Sequence, residues 1–204
     1  SKTVAQISRN IILVFQHPEH MLFEETVERE LTFCARMQQV DFSAEEITDV
    51  LSRYHLEKER ETFPLNLSMG QKHMLTILSV LFSCADVIIL DEPTLGMDGF
   101  LVQDLEELIR SLKEAGKTVI MISHEIPLVF RTVDAAVILN AGEKIFEGSR
   151  EELAERSDIF ERIGIAMPPV VRLSHSFDLD QICYTVESFT EQLLKRYTEK
   201  RGGK

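Results

Sequence analysis

The chain has 204 residues, a formal net charge of −12, 44% hydrophobic residues and 27% charged residues. These proportions are typical of a folded protein with one good core, and the acidic balance excludes a nucleic-acid surface, which needs clustered Lys and Arg. The chain has three widely spaced cysteines and no C-x-x-C pair, which excludes a disulfide framework and a zinc site. Because the longest apolar stretches are too short to span a bilayer, we expect a cytosolic chain.

The first part of the chain predicts one strand followed by helices. The strand is indicated by a β-rich apolar run, and the helices by apolar residues at helical spacing. A capping box at Ser43–Glu46 marks the start of the second helix. In chain order we expect a strand at residues 10–15, a polar turn at 16–20, and helices at 25–39, 43–54 and 68–83.

From residue 86 the pattern changes to strands alternating with helices, which is typical of a mostly parallel sheet covered by helices. The expected order is strand 87–90, helix 99–115, strand 118–122, helix 125–132, and strands 135–139 and 143–147. A capping box at 149–152 opens a helical region, followed by a linker at Pro168 and Pro169, a helix at 181–197 and a frayed end at 201–204. The predicted fold class is therefore α/β.

The strand at residues 87–90 delivers two adjacent carboxylates, Asp91 and Glu92, to a loop. Such a pair can hold Mg²⁺ and a water beside a phosphate, although strands that end in surface acids are also common. With residues 93–98 (P-T-L-G-M-D) included, the segment resembles the Walker B motif and D-loop of ABC transporter ATPases. The resemblance implies that Asp91 positions Mg²⁺, that Glu92 orients and polarises the attacking water, and that Asp98 belongs to the D-loop.

Residues 67–71 (L-S-M-G-Q) open a helix, where free N–H groups and the helix dipole attract anions. They resemble the ABC signature, usually L-S-G-G-Q, which acts in trans on the γ-phosphate bound by a facing ATPase domain. The resemblance implies that Ser68 donates its hydroxyl and Gly70 its backbone N–H, while Met69 adds a long side chain near the nucleotide. The serine is equally an N-cap of a buried helix, and the two interpretations are compatible. The expected nucleotide-binding set in trans is Ser68, Met69, Gly70 and Gln71.

Two further residues follow predicted strands. Gln16 resembles the Q-loop glutamine, which senses the metal and the attacking water, and His124 resembles the switch histidine, which contacts the γ-phosphate. A lone glutamine or histidine is more often structural, but four elements in family order argue against coincidence. The implied catalytic residues are Glu92, His124 and Gln16, and the implied metal ligands are Asp91 and Gln16.

Residues 14–27 and 164–173 resemble the energy-coupling-factor branch of these ATPases, and the resemblance covers residues 10–173. It implies an ABC-type P-loop NTPase with a RecA-like parallel sheet and an α-helical signature subdomain, incomplete at the N-terminus. The implied divisions are a core remnant at 1–15, the Q-loop and helical signature subdomain at 16–84, the RecA-like core with Walker B and switch histidine at 85–148, and a C-terminal helical region at 149–204.

The same resemblance implies an ATP-binding and ATP-hydrolysing subunit that energises an importer for a vitamin or a transition-metal ion, with ATP and Mg²⁺ as cofactors. Its partners would be a second ATPase subunit, identical or different, a transmembrane coupling subunit and a substrate-binding membrane subunit. The chain would lie in the cytoplasm, peripheral on the inner face of the cell membrane.

No G-x-x-x-x-G-K-[S/T] phosphate loop occurs in the 204 residues. Because that loop supplies the main ligands of the β- and γ-phosphates, we expect this polypeptide alone to bind ATP weakly and to hydrolyse it negligibly. Two explanations are open: the C-terminal portion of an ordinary ATPase, or a shortened non-catalytic subunit that donates its signature motif to a partner ATPase. The first is favoured because Asp91, Glu92 and His124 serve a chain's own phosphate loop. A non-transport ABC ATPase is a weaker alternative, which the charge and the Q-loop segment oppose.

Overall fold

The computed structural model describes residues 3 and 7, residues 9–177 and residues 179–202. Its contacts divide the chain into two compact units, Ser1–His124 and Glu125–Lys204. Among the residues that the structure describes, none of the helices combines the length and the apolar composition that crossing a membrane requires.

A parallel sheet organises the first unit. Its strands are β1 (Ile11–Val14), β2 (Val87–Asp91) and β3 (Thr118–Ile122). The described strands follow the order β1–β2–β3, so β2 is central and hydrogen-bonds to a neighbour on each side. Because parallel strands end at the same edge of a sheet, the residues that follow each strand are brought together at the carboxyl edge.

Helices surround this sheet in the first unit. They are α1 (Val27–Leu31), α2 (Phe33–Gln38), α3 (Ala44–Arg53), α4 (Met69–Leu78) and α5 (Gly99–Glu114). Short 3₁₀ turns lie at Pro18–His20, Glu57–Glu59, Pro64–Asn66 and Ser79–Phe82. Side-chain caps define four of these helix starts, since each cap accepts a backbone N–H bond from the first turn that it precedes; the caps are Thr26, Ser43, Ser68 and Asp98.

Helix α4 lies in the middle of the core of the first unit. The side chains from His73 to Leu78 are all buried, together with Gly70 near the start of the helix. Helices α1 and α5 both contact it, and Met74 and Leu75 share one hydrophobic cluster with Leu31 of α1 and Ile88 of β2. The N-terminus of α4 is therefore fixed by packing along the rest of the helix.

The second unit has its own sheet and core. Its elements are α6 (Ile126–Thr132), the antiparallel strands β4 (Ala135–Asn140) and β5 (Glu143–Ser149), α7 (Arg150–Ala154), α8 (Ser157–Ile163), α9 (Pro169–Ser176) and α10 (Val186–Gly202). The Phe130 ring stacks on Phe160 and on Tyr184, with centroids 6.1 Å and 5.7 Å apart. The Arg150 guanidinium lies 4.3 Å from the centre of the Tyr184 ring. Aromatic stacking and a cation–π contact thus tie the loop before α10 to this core.

The α/β class and the three parallel strands are confirmed, whereas strands β4 and β5 pair antiparallel in a separate sheet. The single helix expected at 25–39 is wrong, because it divides at Thr32, whose hydroxyl bonds back to the Glu28 carbonyl. The linker expected at Pro168 and Pro169 is wrong as well. Pro169 opens α9, since a proline needs no N–H partner in the first helical turn.

The helix expected at 181–197 begins only at Val186, after Thr185 accepts a bond from the Ser188 N–H. Helix α10 continues to Gly202, and the last two residues of the predicted frayed end lie outside the described part. The functional divisions 1–15, 16–84, 85–148 and 149–204 stay predictions.

Candidate functional site

A pocket lies at the carboxyl ends of β1 and β2. It has a volume of about 280 Å³ and is lined by Phe15, Gln16, His17, His20 and Asp91. The first four of these residues follow β1, and Asp91 is the last residue of β2. Gln16 and Asp91, the two residues predicted to bind metal, therefore share one concave surface. The carboxyl edge of a parallel sheet is the usual place for a ligand in such folds.

Glu92 is the first residue after the central strand, and its backbone is in an unusual conformation. Its φ angle is +46°, in the left-handed region that non-glycine residues seldom adopt. Its N–H donates to the carbonyl of Ile122, 2.9 Å away, at the end of β3. A backbone of this kind costs about 1–3 kcal/mol and persists where the surrounding structure enforces it. Here the sheet fixes the direction in which the Glu92 side chain leaves the chain.

Glu92 and His124 form a pair across the ends of neighbouring strands. A carboxylate oxygen of Glu92, Oε2, lies 2.8 Å from Nδ1 of His124. The Glu92 side chain is largely buried, whereas three quarters of the His124 side chain is exposed. The structure therefore brings together the predicted water-activating carboxylate and the predicted switch histidine, with the imidazole on the outer side.

The predicted signature begins α4 with a capping box. The Ser68 hydroxyl accepts the N–H of Gln71 at 3.3 Å, and the Gln71 side-chain oxygen accepts the N–H of Ser68 at 3.1 Å. Because the serine oxygen accepts in this bond, its own O–H can still donate to an anion. Ser68 and Met69 are exposed and Gly70 behind them is buried, so the outer end of α4 has the N-terminal geometry that favours anions.

The predicted signature and the predicted D-loop are in direct backbone contact. A Cβ atom added to Gly70 would lie 2.7 Å from the carbonyl oxygen of Gly96, closer than real contacts allow. A Cβ atom added to Gly96 would lie 2.7 Å from Cγ of Met69 and 2.8 Å from its Cβ. The Met69 side chain, predicted to lie near the nucleotide, therefore covers the D-loop of its own chain. It is partly exposed there, with 38% of its surface accessible.

Asp98, the predicted D-loop residue, is the N-cap of α5. Its Oδ1 atom accepts the N–H groups of Phe100 and Leu101, both at 3.0 Å. The residue is exposed on the surface of the first unit. Its first role is therefore to start α5, and its exposed carboxylate leaves the other oxygen accessible to a partner.

His73 lies near these residues and was missed in the sequence. It is fully buried in α4, with Nδ1 2.7 Å from the carbonyl oxygen of Leu95 and Nε2 2.9 Å from that of Gln16. The imidazole therefore connects the segment after β1 with the segment after Glu92. The sequence did contain one indication of this role: His73 is a single histidine among the apolar residues of a largely buried helix.

Glu30 holds the segment that follows the pocket residues. Its buried carboxylate accepts the N–H groups of Phe23 and Glu24, both at 2.8 Å, through the same oxygen. Burial raises the pKa of the Glu30 carboxyl above its usual value, while the two backbone donors act in the opposite direction. No spacing rule identifies this residue, because the bonds depend on how the chain folds back onto α1.

The donor set in the pocket fits Mg²⁺ bound together with a nucleotide. Gln16 and Asp91 offer an amide and a carboxylate oxygen, which are the ligands that this hard cation prefers. In protein sites Mg²⁺ commonly takes one or two carboxylates, with phosphate oxygens and waters completing the octahedron. Within the described ranges, no cluster of three or more His, Cys, Asp and Glu residues could hold a metal by itself.

Comparison with known proteins gives a consistent result. The family model described as "ABC transporter" matches residues 1–95. The energy-coupling factor transporter ATP-binding protein EcfA2 of Clostridium perfringens is 33% identical over 204 residues, covering 94% of this chain and 71% of that protein. EcfA2 of Clostridium tetani is 32% identical over 209 residues, covering 97% of this chain and 72% of that protein.

A solved structure supports the same assignment. That structure is cbiO1 of Clostridium perfringens, described as part of the ABC transporter complex cbiONQ, and it superposes with a TM-score of 0.61. The match has 28% identity and covers 84% of this chain and 69% of that one. With the relatives above, it shows that the chain belongs to the ATP-hydrolysing ABC transporter ATPases, as an ATP-binding subunit of the energy-coupling-factor type.

Proposed function

We propose that Glu92, His124 and Gln16 perform ATP hydrolysis at the carboxyl edge of the sheet, with Asp91 beside the metal. The observation that carries this assignment is the 2.8 Å contact between Glu92 and His124 at the ends of adjacent strands. The pocket shared by Gln16 and Asp91 supports it, because both residues follow strands of the same sheet.

In this mechanism Glu92 accepts a hydrogen bond from the attacking water and orients it toward the γ-phosphate. His124 contacts the carboxylate of Glu92 and would approach the same phosphate from the exposed side. Gln16 and Asp91 would hold Mg²⁺, which neutralises the charge that develops on the phosphate oxygens when it is bound. The Glu92 side chain needs little reorganisation, because the end of the sheet already sets its direction.

The start of α4 serves a second nucleotide. The Ser68 hydroxyl and the Gly70 N–H would donate to the γ-phosphate of an ATP bound on a facing ATPase subunit, with Met69 and Gln71 completing the motif. The capping box supports this role, because the Ser68 oxygen accepts the Gln71 N–H and its own O–H remains available to donate. The exposed Asp98 would contact the same partner.

The names of similar proteins support an assembly with other subunits. cbiO1 is described as part of a cbiONQ complex, and the EcfA2 proteins are named as transporter ATP-binding proteins. We therefore propose that this chain pairs with a second ATPase subunit, identical or different, and with a transmembrane coupling subunit and a substrate-binding membrane subunit. It would lie against the inner face of the membrane and drive the import of a vitamin or a transition-metal ion.

The test is Glu92→Gln in the natural gene product that contains these residues, purified from its own cell with its partner subunits. Turnover should fall by roughly 100-fold or more, since a positioned base contributes about 10²–10⁴-fold. Binding of ATP should stay within about twofold, because the amide preserves the shape of the side chain. Glu114→Gln, at the exposed end of α5, is the matched control for the change in charge and should hydrolyse ATP normally.

Hydrolysis at the normal rate by Glu92→Gln would contradict the role of Glu92. In that case a large loss of turnover in Ser68→Ala would show that the chain contributes only its signature to a site on the partner.

A further inference from the structure

The imidazole of His73 contacts two functional segments from inside the core. Its Nδ1 lies 2.7 Å from the Leu95 carbonyl in the D-loop, and its Nε2 lies 2.9 Å from the Gln16 carbonyl in the Q-loop. The side chain is completely buried. Each ring nitrogen thus faces a carbonyl oxygen at hydrogen-bonding distance, as expected of a buried polar side chain.

The ring chemistry makes at least one of these contacts a hydrogen bond in any protonation state. A neutral imidazole carries one N–H and a protonated imidazole carries two, while a carbonyl oxygen can only accept. The carbonyl of Gln16 leaves the backbone at the residue whose side chain lines the pocket. That peptide group therefore contacts the His73 ring, and the contact is a hydrogen bond whenever Nε2 carries a proton.

The helix that carries His73 is also the helix that starts with the signature. Ser68 caps α4, and His73 follows in its second turn. The same D-loop contacts the start of α4 a second time, through the close approach of Gly96 to Gly70 and Met69. Two separate contacts thus fix the D-loop on α4, and one of them continues to the Q-loop.

We propose that His73 is a positioning residue, which fixes the Q-loop and the D-loop relative to the signature helix through its two ring nitrogens. The proposal rests on the proposed roles of Gln16 and the D-loop in hydrolysis. A displacement of α4 that follows contact between Ser68 and a partner's nucleotide would then move both loops together. His73 does not touch the nucleotide, and it acts through the backbone of Gln16 and Leu95.

The experiment compares His73→Phe, His73→Gln and Met74→Ala. Phenylalanine fills a similar volume without a donor, and glutamine restores an N–H donor. Met74 is the fully buried neighbour on the same helix, so its truncation controls for a loss of core packing. Amide hydrogen exchange of His20 and Met21 reports on the turn after Gln16, and that of Leu95 and Met97 on the D-loop, since these amides close turns there.

In His73→Phe, exchange of these four amides should accelerate roughly tenfold relative to α3, as expected when one or two buried hydrogen bonds are lost. In His73→Gln it should return close to the unsubstituted rate. In the assembled gene product, kcat of His73→Phe should fall about tenfold, with the KM for ATP within about twofold, because a displaced catalytic group affects the transition state more than binding.

The two variants His73→Phe and Met74→Ala are compared under conditions that give them the same free energy of unfolding. The proposal is wrong if the four amides then exchange at the same rates, relative to α3, in both variants. It is equally wrong if glutamine restores no protection beyond that of phenylalanine. Exchange is measured without ATP, so this result is independent of the outcome for Glu92→Gln.

Discussion

The contact between the signature and the D-loop predicts the effect of adding one methyl group. In Gly96→Ala the new Cβ would lie 2.7 Å from Met69 Cγ and 2.8 Å from Met69 Cβ, and the backbone there has a φ angle of +75°. Rotation of the Met69 side chain can move Cγ but not Cβ, which is attached to the backbone. The crowding at position 96 therefore cannot be relieved by a change of rotamer alone.

Two terms make up the expected loss of stability. Left-handed backbone costs a residue with a side chain about 1–2 kcal/mol, and overpacking typically costs about 1–3 kcal/mol. Gly96→Ala should therefore lower the free energy of unfolding by about 2–5 kcal/mol. In a Met69→Gly background the overpacking cost disappears and only the backbone cost is left. The double-mutant cycle of Gly96→Ala and Met69→Gly should therefore give a coupling energy of about 1–3 kcal/mol.

Chemical denaturation of the single and double variants measures this coupling, with two glycines as matched controls. Gly116 also has a positive φ, +79°, but its Cβ would meet nothing within 4 Å, so Gly116→Ala measures the backbone term alone. Gly99 has open space and no left-handed backbone, so Gly99→Ala should be neutral or slightly stabilising. The variant Met69→Ala retains the Cβ and should relieve little of the crowding.

An equal loss from Gly96→Ala in the Met69 and Met69→Gly backgrounds would refute this reasoning. It would mean that the Met69 side chain points away from the D-loop. In the assembled protein, Met69→Gly should also tighten the apparent ATP affinity of the half-site offered to the partner, because a glycine lets the backbone approach the phosphate more closely.

Two other predictions concern a buried carboxyl and a matched pair of caps. Because burial raises the pKa of Glu30, its contribution to stability is fully present below its usual value of 4.5 and is lost as the pH rises through the raised pKa. Glu30→Gln retains an acceptor for the N–H groups of Phe23 and Glu24 and should remove that part of the pH dependence. Denaturant titrations from pH 4 to pH 7 measure the free energy of unfolding, and the same change with pH in the variant and the unsubstituted protein would contradict this prediction. Ser43→Ala and Ser68→Ala each break a capping box and should each lower the unfolding free energy by about 1 kcal/mol. Only Ser68→Ala should reduce ATP hydrolysis by the assembled subunits, and equal ATPase losses in both variants would reject a phosphate-binding role for Ser68.

Local signals in the sequence were sufficient for most elements. The capping boxes predicted at Ser43 and Ser149 are both present, because both partners of each box lie within one helical turn, and the predicted N-cap Ser68 also forms a box with Gln71. The strand Thr118–Ile122 has the predicted bounds, since a β-branched run between polar residues has few alternatives. By contrast, the break at Thr32 depends on a hydroxyl that bonds back to the preceding turn, and apolar spacing does not record it.

The candidate site was predictable as a set of residues but not as a geometry. Glu92 and His124 were both singled out, yet their contact depends on the register that places Asp91 beside Ile122. The connections made by His73 join positions 57 and 22 residues away in the chain. Such contacts are set by tertiary packing, and one sequence without its fold contains no periodicity that would reveal them.

The left-handed backbone at Glu92 has a consequence for how this position changes over generations. A glycine would relax the strain at φ +46°, so under the proposed role the most stable residue there is one that cannot activate water. Random substitution followed by selection for folding alone would move position 92 away from glutamate. Retention of the carboxylate therefore requires selection for turnover itself. Gene copies that are no longer selected for ATP turnover should accumulate substitutions of Glu92, which abolish hydrolysis and raise the free energy of unfolding.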